Sequence, residues 1–146
     1  MRELPGQLSE DELAALFEGR TRFVARLARE PDPLTRAAAL VHELPHDEQV
    51  EILAAHPAIG QRAGLSARSA AEQGAAADPE VLAELARLNA EYEARHGFRF
   101  VVFVNRRQKA EILAVLRGRI DRSSEDELAT ALGELVQIAV DRWRSG

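Results

Sequence analysis

Residues 124–144, Ser-Glu-Asp-Glu-Leu-Ala-Thr-Ala-Leu-Gly-Glu-Leu-Val-Gln-Ile-Ala-Val-Asp-Arg-Trp-Arg, decide the fold class. Leu128, Ala131, Leu132, Leu135, Ile138 and Ala139 recur in steps of three and four, so they share one face of a helix. Ser124 and Glu127 have the Ser-x-x-Glu form of a capping box, which predicts where that helix starts. The next position of the apolar stripe is Arg142. A guanidinium on a core-facing stripe calls for a carboxylate or a bound anion, unless the helix end has already reached solvent and the side chain snorkels.

The pattern upstream is helix after helix. Ser9 with Glu12 makes a second capping box, opening a helix through Leu13, Leu16 and Phe17 that stops near Gly19. Thr21 can cap the next, with Val24 and Leu27 inward. Asp32-Pro33 is an N-cap followed by proline at the first helical position, and Leu34, Ala37, Ala38, Val41 and Leu44 then repeat at helical spacing until Pro45. A fourth helix carries Val50, Leu53 and Ala54 into His56-Pro57. Residues 58–65 read as loop, and Ser66 or Ser69 starts a short helix. Asp78-Pro79 opens a longer one through Leu82, Leu85, Leu88 and Tyr92, closed at Gly97. Residues 98–104 (Phe-Arg-Phe-Val-Val-Phe-Val) alone look strand-like, but a lone strand has no partner, so a buried extended connector is expected. A helix around Ala110 to Leu116 precedes the last one. The expected architecture is all-α: one bundle-like domain over residues 1–146, of about eight helices with one buried extended segment.

Composition narrows the function. The 146 residues are 46% hydrophobic and 29% charged, enough for one domain with a real core. With no cysteine there is no disulfide, thiolate nucleophile or Cys-based metal site. The net charge of −5 argues against general nucleic-acid binding. Between Arg99 and Arg122, however, seven basic residues face only two acidic ones. Such a stretch is a solvated helix face, a docking surface, or a means of steering a small anion. No apolar h-region or membrane-length apolar run occurs, so a cytoplasmic location is expected.

Few residues could carry chemistry. His56 extends the apolar face of its helix, three beyond Leu53 and four beyond Ile52, and Pro57 turns the chain out of the helix there. A histidine at an apolar rim suits proton transfer, although a structural histidine at a helix end looks the same. Glu72 lies in Ser69-Ala70-Ala71-Glu72-Gln73, which is either a capping box or a set of polar groups offered to a ligand. His42 and His46 have the spacing of a metal pair, but Pro45 between them breaks the helix that would align them. His96 before Gly97 reads as an ordinary helix C-terminus, and there is no phosphate loop or nucleophile elbow.

Taken together, Glu51-Ile52-Leu53-Ala54-Ala55-His56-Pro57-Ala58-Ile59-Gly60, the Ser69 to Gln73 motif, Leu88-Asn89-Ala90-Glu91-Tyr92, the Gly97 to Val102 connector and Lys109-Ala110-Glu111-Ile112-Leu113 resemble the 2-oxo-4-hydroxy-4-carboxy-5-ureidoimidazoline (OHCU) decarboxylase family of urate degradation. The resemblance runs from about Leu13 to Trp143. It implies an all-helical enzyme without metal or cofactor, acting on a small anionic substrate, often as a homodimer; the charge and the lack of a membrane-length apolar run add the expectation of no nucleic-acid or membrane partner. It implies His56 as the catalytic histidine, Glu72 as the second catalytic residue and Arg142 as the family's arginine. Pro57, Ser69 and Gln73 match substrate-contacting positions, and Phe100, Val101, Val102, Phe103 and Val104 match the segment whose main chain lines the pocket. The implied reaction, decarboxylation of OHCU to (S)-allantoin, needs no PLP or thiamine, because the substrate ring can hold the released electron pair as an enolate.

Two departures stand out. Arg22-Phe23-Val24 occupies a place where many members carry tryptophan, and Val104-Asn105 stands where a small residue followed by arginine is common. No transthyretin-like hydrolase domain follows, so a stand-alone enzyme is expected.

Overall fold

A computed structural model describes residues 3–57 and 78–146. Seven helices occur among the described residues: α1 (Glu10–Phe17), α2 (Arg22–Leu27), α3 (Pro33–Glu43), α4 (His46–Ala54), α5 (Pro79–His96), α6 (Lys109–Arg119) and α7 (Ser124–Ser145). None is long and apolar enough to cross a membrane. The short helix expected from Ser66 or Ser69 lies outside the described residues.

Most starts follow the local chemistry. The Ser9–Glu12 box is reciprocal: Ser9 Oγ accepts from Glu12 N at 3.1 Å and Glu12 Oε1 from Ser9 N at 3.0 Å. Thr21 and Asp78 also cap with their side chains. Asp32 stands at the N-cap of α3 but in the left-handed region (φ 50°) rather than the extended one, and its side chain makes no capping bond. The start of α7 corrects the expected box. Ser123, not Ser124, is the N-cap, and its hydroxyl accepts from Asp126 N at 3.1 Å. Glu127 is therefore released from capping, and its carboxylate is fully buried.

Helix α7 packs against α1, α3, α4 and α5, while α5 also pairs with α6 and α2 with α1, α3 and α4. Its stripe, Ala131, Leu132, Leu135, Ile138 and Ala139, is buried as the spacing predicts. Leu128 is only partly buried, at the margin of the core. Phe17 and Phe23 meet edge to face at 5.6 Å, so Phe23 fills core volume between α1 and α2. Arg22 beside it ties α2 to α4. Its backbone N–H and Nε donate to the two Glu51 carboxylate oxygens at 2.8 and 3.1 Å, and these bonds hold Glu51 below the usual carboxylate range.

Residues 98–104 form no strand. They run as an extended connector from α5 to α6, with Phe98, Phe100, Val101, Val102 and Val104 buried. The connector is held by charged side chains. Arg119 lies over the Phe100 ring at 4.7 Å and donates from Nη1 to the Val101 carbonyl at 3.2 Å. Glu134 accepts the Phe103 N–H at 3.1 Å, and Arg107 folds back onto the Phe103 and Val104 carbonyls. Behind them Glu127 binds Tyr92 Oη at 2.6 Å, Arg119 Nε at 2.8 Å and Arg122 Nη1 at 2.8 Å. Part of the basic stretch is thus turned inward: Arg119 is buried, and Arg99, Arg107 and Arg122 each donate to an internal acceptor.

Candidate active site

Helix α4 ends at Ala54 with Ala55 as its C-cap, and the chain tightens so that His56 N donates to the Leu53 carbonyl at 3.2 Å. Pro57 blocks continuation of the helix. His56 is thereby turned inward at the end of the apolar face that buries Ile52 and Leu53, and is itself 5% exposed. Its Nε2 is buried and has no hydrogen-bond partner among the described residues. A buried polar atom left in that state calls for a ligand or a functional explanation.

The charges around it are specific. Burial is the main reason the imidazole is pushed down to about 4, followed by the positive charge of Arg142, with Glu18 opposing and Arg99 adding a smaller downward push. At neutral pH His56 is therefore an uncharged imidazole, able to take a proton. Arg142 approaches from α7, where the helical step beyond Ile138 and Ala139 keeps it on the core-facing side and 4% exposed. It has not reached solvent. Its Nη1 donates to the Leu16 carbonyl at 3.0 Å and its Nη2 pairs with Glu18 Oε1 at 3.1 Å. Of the two partners the sequence leaves open for this guanidinium, the fold supplies the carboxylate.

Arg99 approaches from the connector. Its Nη1 donates to the Ala54 carbonyl at 3.1 Å and to the His56 carbonyl, while Nε pairs with Glu93 at 3.0 Å. The first part of the connector is thus bonded to the very turn that carries His56. The Val101, Phe103 and Val104 carbonyls and the Phe103 N–H are taken by Arg119, Arg107 and Glu134.

His56, Arg142 and the start of the connector are brought together, and Pro57, partly buried, adjoins His56. Glu72, Ser69 and Gln73 lie outside the described residues. His96, by contrast, has both ring nitrogens occupied, by Ser124 Oγ at 2.7 Å and the Ile120 carbonyl at 3.0 Å, and acts as a clamp between α5 and the start of α7. His42 and His46 sit on different helices, separated by Pro45. Sequence reasoning missed Glu18 and Arg99. Each had a signal: an acid at a helix C-terminus runs against the helix dipole, and Arg99 interrupts an otherwise apolar connector.

Comparison with known proteins points the same way. The family model described as OHCU decarboxylase matches residues 3–144. The 2-oxo-4-hydroxy-4-carboxy-5-ureidoimidazoline decarboxylase of Haloferax volcanii is 33% identical over 129 residues, covering 80% of this chain and 76% of that protein. The protein of the same name from Mus musculus is 35% identical over 109 residues, covering 69% of this chain and 61% of its own length. A crystal structure of OHCU decarboxylase in the presence of (S)-allantoin superimposes with a TM-score of 0.76 at 23% identity, covering 92% of this chain and 96% of the other, and so shares the fold.

Proposed function

The chain belongs to the OHCU decarboxylase family, and from that premise we propose that it removes carbon dioxide from OHCU to give (S)-allantoin, without a cofactor. The observation that carries this reading is the buried, uncharged His56, with an unpartnered Nε2 and the guanidinium of Arg142 in its electrostatic reach.

The chemistry asks three things of the protein. It must orient the leaving carboxylate, stabilise the enolate that remains, and put a proton on one face of a ring carbon. Arg142 binds the anionic substrate. Cleavage of the ring-carbon–carboxylate bond releases carbon dioxide; its electron pair forms a double bond to the ureido-bearing carbon, and the displaced C=N pair passes to the ring nitrogen, which takes a proton from solvent. His56, starting neutral, accepts the proton of the ring hydroxyl and delivers a proton to the carbon that bears the ureido group, which fixes the stereocentre. Glu72, Ser69 and Gln73 hold the ureido and ring N–H groups, Pro57 lines the site, and the main chain of residues 100–104 forms the opposite wall.

Acid–base placement of this kind is worth about 10²–10⁴-fold. The test is carbon dioxide release from freshly generated OHCU and from other small carboxylated ureido compounds, each against its spontaneous decay. Acceleration confined to OHCU supports the reading. Acceleration of another member of the panel, and not of OHCU, moves the substrate; no acceleration of any of them sinks it.

A further inference from the structure

Glu18 sits where a glutamate is locally disfavoured on two counts. It closes α1 in the left-handed region, with φ 64° and ψ 24°, a conformation ordinarily taken by glycine or asparagine, although Gly19 stands one place later. It also places a carboxylate at the negative end of the helix dipole. What it gains is Arg142. Glu18 Oε1 lies 3.1 Å from Arg142 Nη2, with the two side chains 15% and 3% exposed. The Leu16 carbonyl, from the same last turn, accepts from Nη1 of the same guanidinium at 3.0 Å. The turn also abuts the histidine's own segment: a Cβ placed on Gly19 would lie 3.6 Å from that of Ala55, the residue before His56.

We propose that Glu18 is a positioning residue of the active site, whose left-handed cap aims its carboxylate at Arg142 and, with the Leu16 carbonyl, fixes that guanidinium beside His56 before any substrate arrives. This rests on the roles given to His56 and Arg142 above. Backbone strain held at a functional site is the expected mark of such a device. Its benefit is pre-organisation: a long, rotamer-rich side chain does not have to be ordered by the substrate itself. Glu18 also offsets part of the positive charge brought to His56 by Arg142 from α7 and Arg99 from the connector.

The test separates positioning from helix capping. Glu18→Gly relieves the left-handed backbone and removes the carboxylate, while Glu18→Gln keeps an acceptor of the same length. kcat/KM for OHCU and thermal stability are measured for both, alone and in an Arg142→Ala background. Positioning predicts at least a tenfold loss for Glu18→Gly, a loss of no more than about threefold for Glu18→Gln, and no further loss from Glu18→Gly once Arg142 is alanine, since interacting sites are not additive. A Glu18→Gly enzyme within twofold of the unsubstituted one, or a loss that simply adds to that of Arg142→Ala, overturns the proposal. Should the glycine variant not fold, Glu18→Asn replaces it, because asparagine tolerates the left-handed region but stops one carbon short. If the unsubstituted chain does not turn over OHCU, that reading fails by itself. Glu18 is then judged by NMR titration of the His56 ring: its midpoint falls in Glu18→Gly if the carboxylate is held at the site and stays put if it is not.

Discussion

Burial costs the His56 imidazole its proton, and that has a consequence for stability. Its folded value of about 4 lies below the ordinary 6.5, so between those limits the unfolded chain binds the proton and the folded one does not. Stability is complete above about pH 6.5 and is lost as the pH falls toward 4. From pH 7 to pH 5 the loss is on the order of 2 kcal/mol from this residue alone. Urea unfolding at the two pH values should show this slope, and His56→Leu should lack it; an equal slope in both would place the titration elsewhere. The acid limb of kcat/KM should likewise fall well below pH 6, since that quantity reports the free enzyme. A second residue-scale prediction concerns the turn after the connector. Asn105 and Arg106 both have positive φ (48° and 64°), and Arg107 N donates to the Val104 carbonyl at 3.0 Å, the pattern of a type I′ turn. Asparagine suits the first position, whereas arginine at the second costs about 1 kcal/mol. Arg106→Gly should therefore raise stability by a few tenths to about 1 kcal/mol in the same unfolding experiment.

At the scale of elements, the connector is the least ordinary part of the fold. An extended segment buried without a sheet must satisfy its backbone some other way, and here Arg119, Arg107 and Glu134 do so. Glu127 anchors this arrangement through Arg119, Arg122 and Tyr92, and burial, followed by the bond to this carboxylate, pushes the Tyr92 phenol well above its ordinary range. Glu127→Ala leaves Arg119 and Tyr92 buried with their partner gone, so a loss of about 3–5 kcal/mol is expected, measured by urea unfolding. Glu127→Gln, which keeps an acceptor, should lose less. The helices were legible from sequence because caps and apolar spacing are local: Ser9 with Glu12, Thr21, Asp78 and the α7 stripe all stand as read. The polar interior was not. Whether Glu127 caps its own helix or enters the core depends on a one-residue shift of the N-cap from Ser124 to Ser123, which the Ser-Ser pair leaves undecided. Whether Arg119 is buried depends on how the connector and the start of α7 fold over it, which no local pattern states. For the site, His56 and Arg142 were visible as polar residues on apolar stripes. Glu18 was not, because its partner is 124 positions away and only packing of α7 on α1 brings them together.

At the scale of the whole molecule, the candidate site lies where three element ends meet: the last turn of α1 with Glu18, the end of α4 with His56, and the C-terminal part of α7 with Arg142. The connector, through Arg99, forms a fourth contact. Helix α7 makes this possible, since it touches both α1 and α4 while running back along the bundle. Such a layout puts a buried, neutral imidazole within the electrostatic reach of a buried guanidinium, which suits proton delivery to a carbanion-like centre in an anionic substrate. The central claim is that His56 delivers this proton to one face. The most direct measurement is circular dichroism of allantoin formation from freshly generated OHCU, comparing the unsubstituted enzyme with His56→Ala against the spontaneous background. The account predicts rapid appearance of the (S) enantiomer with the enzyme and slow, racemic product with His56→Ala. Slow racemic product from both, or fast single-enantiomer product from the variant, would contradict it.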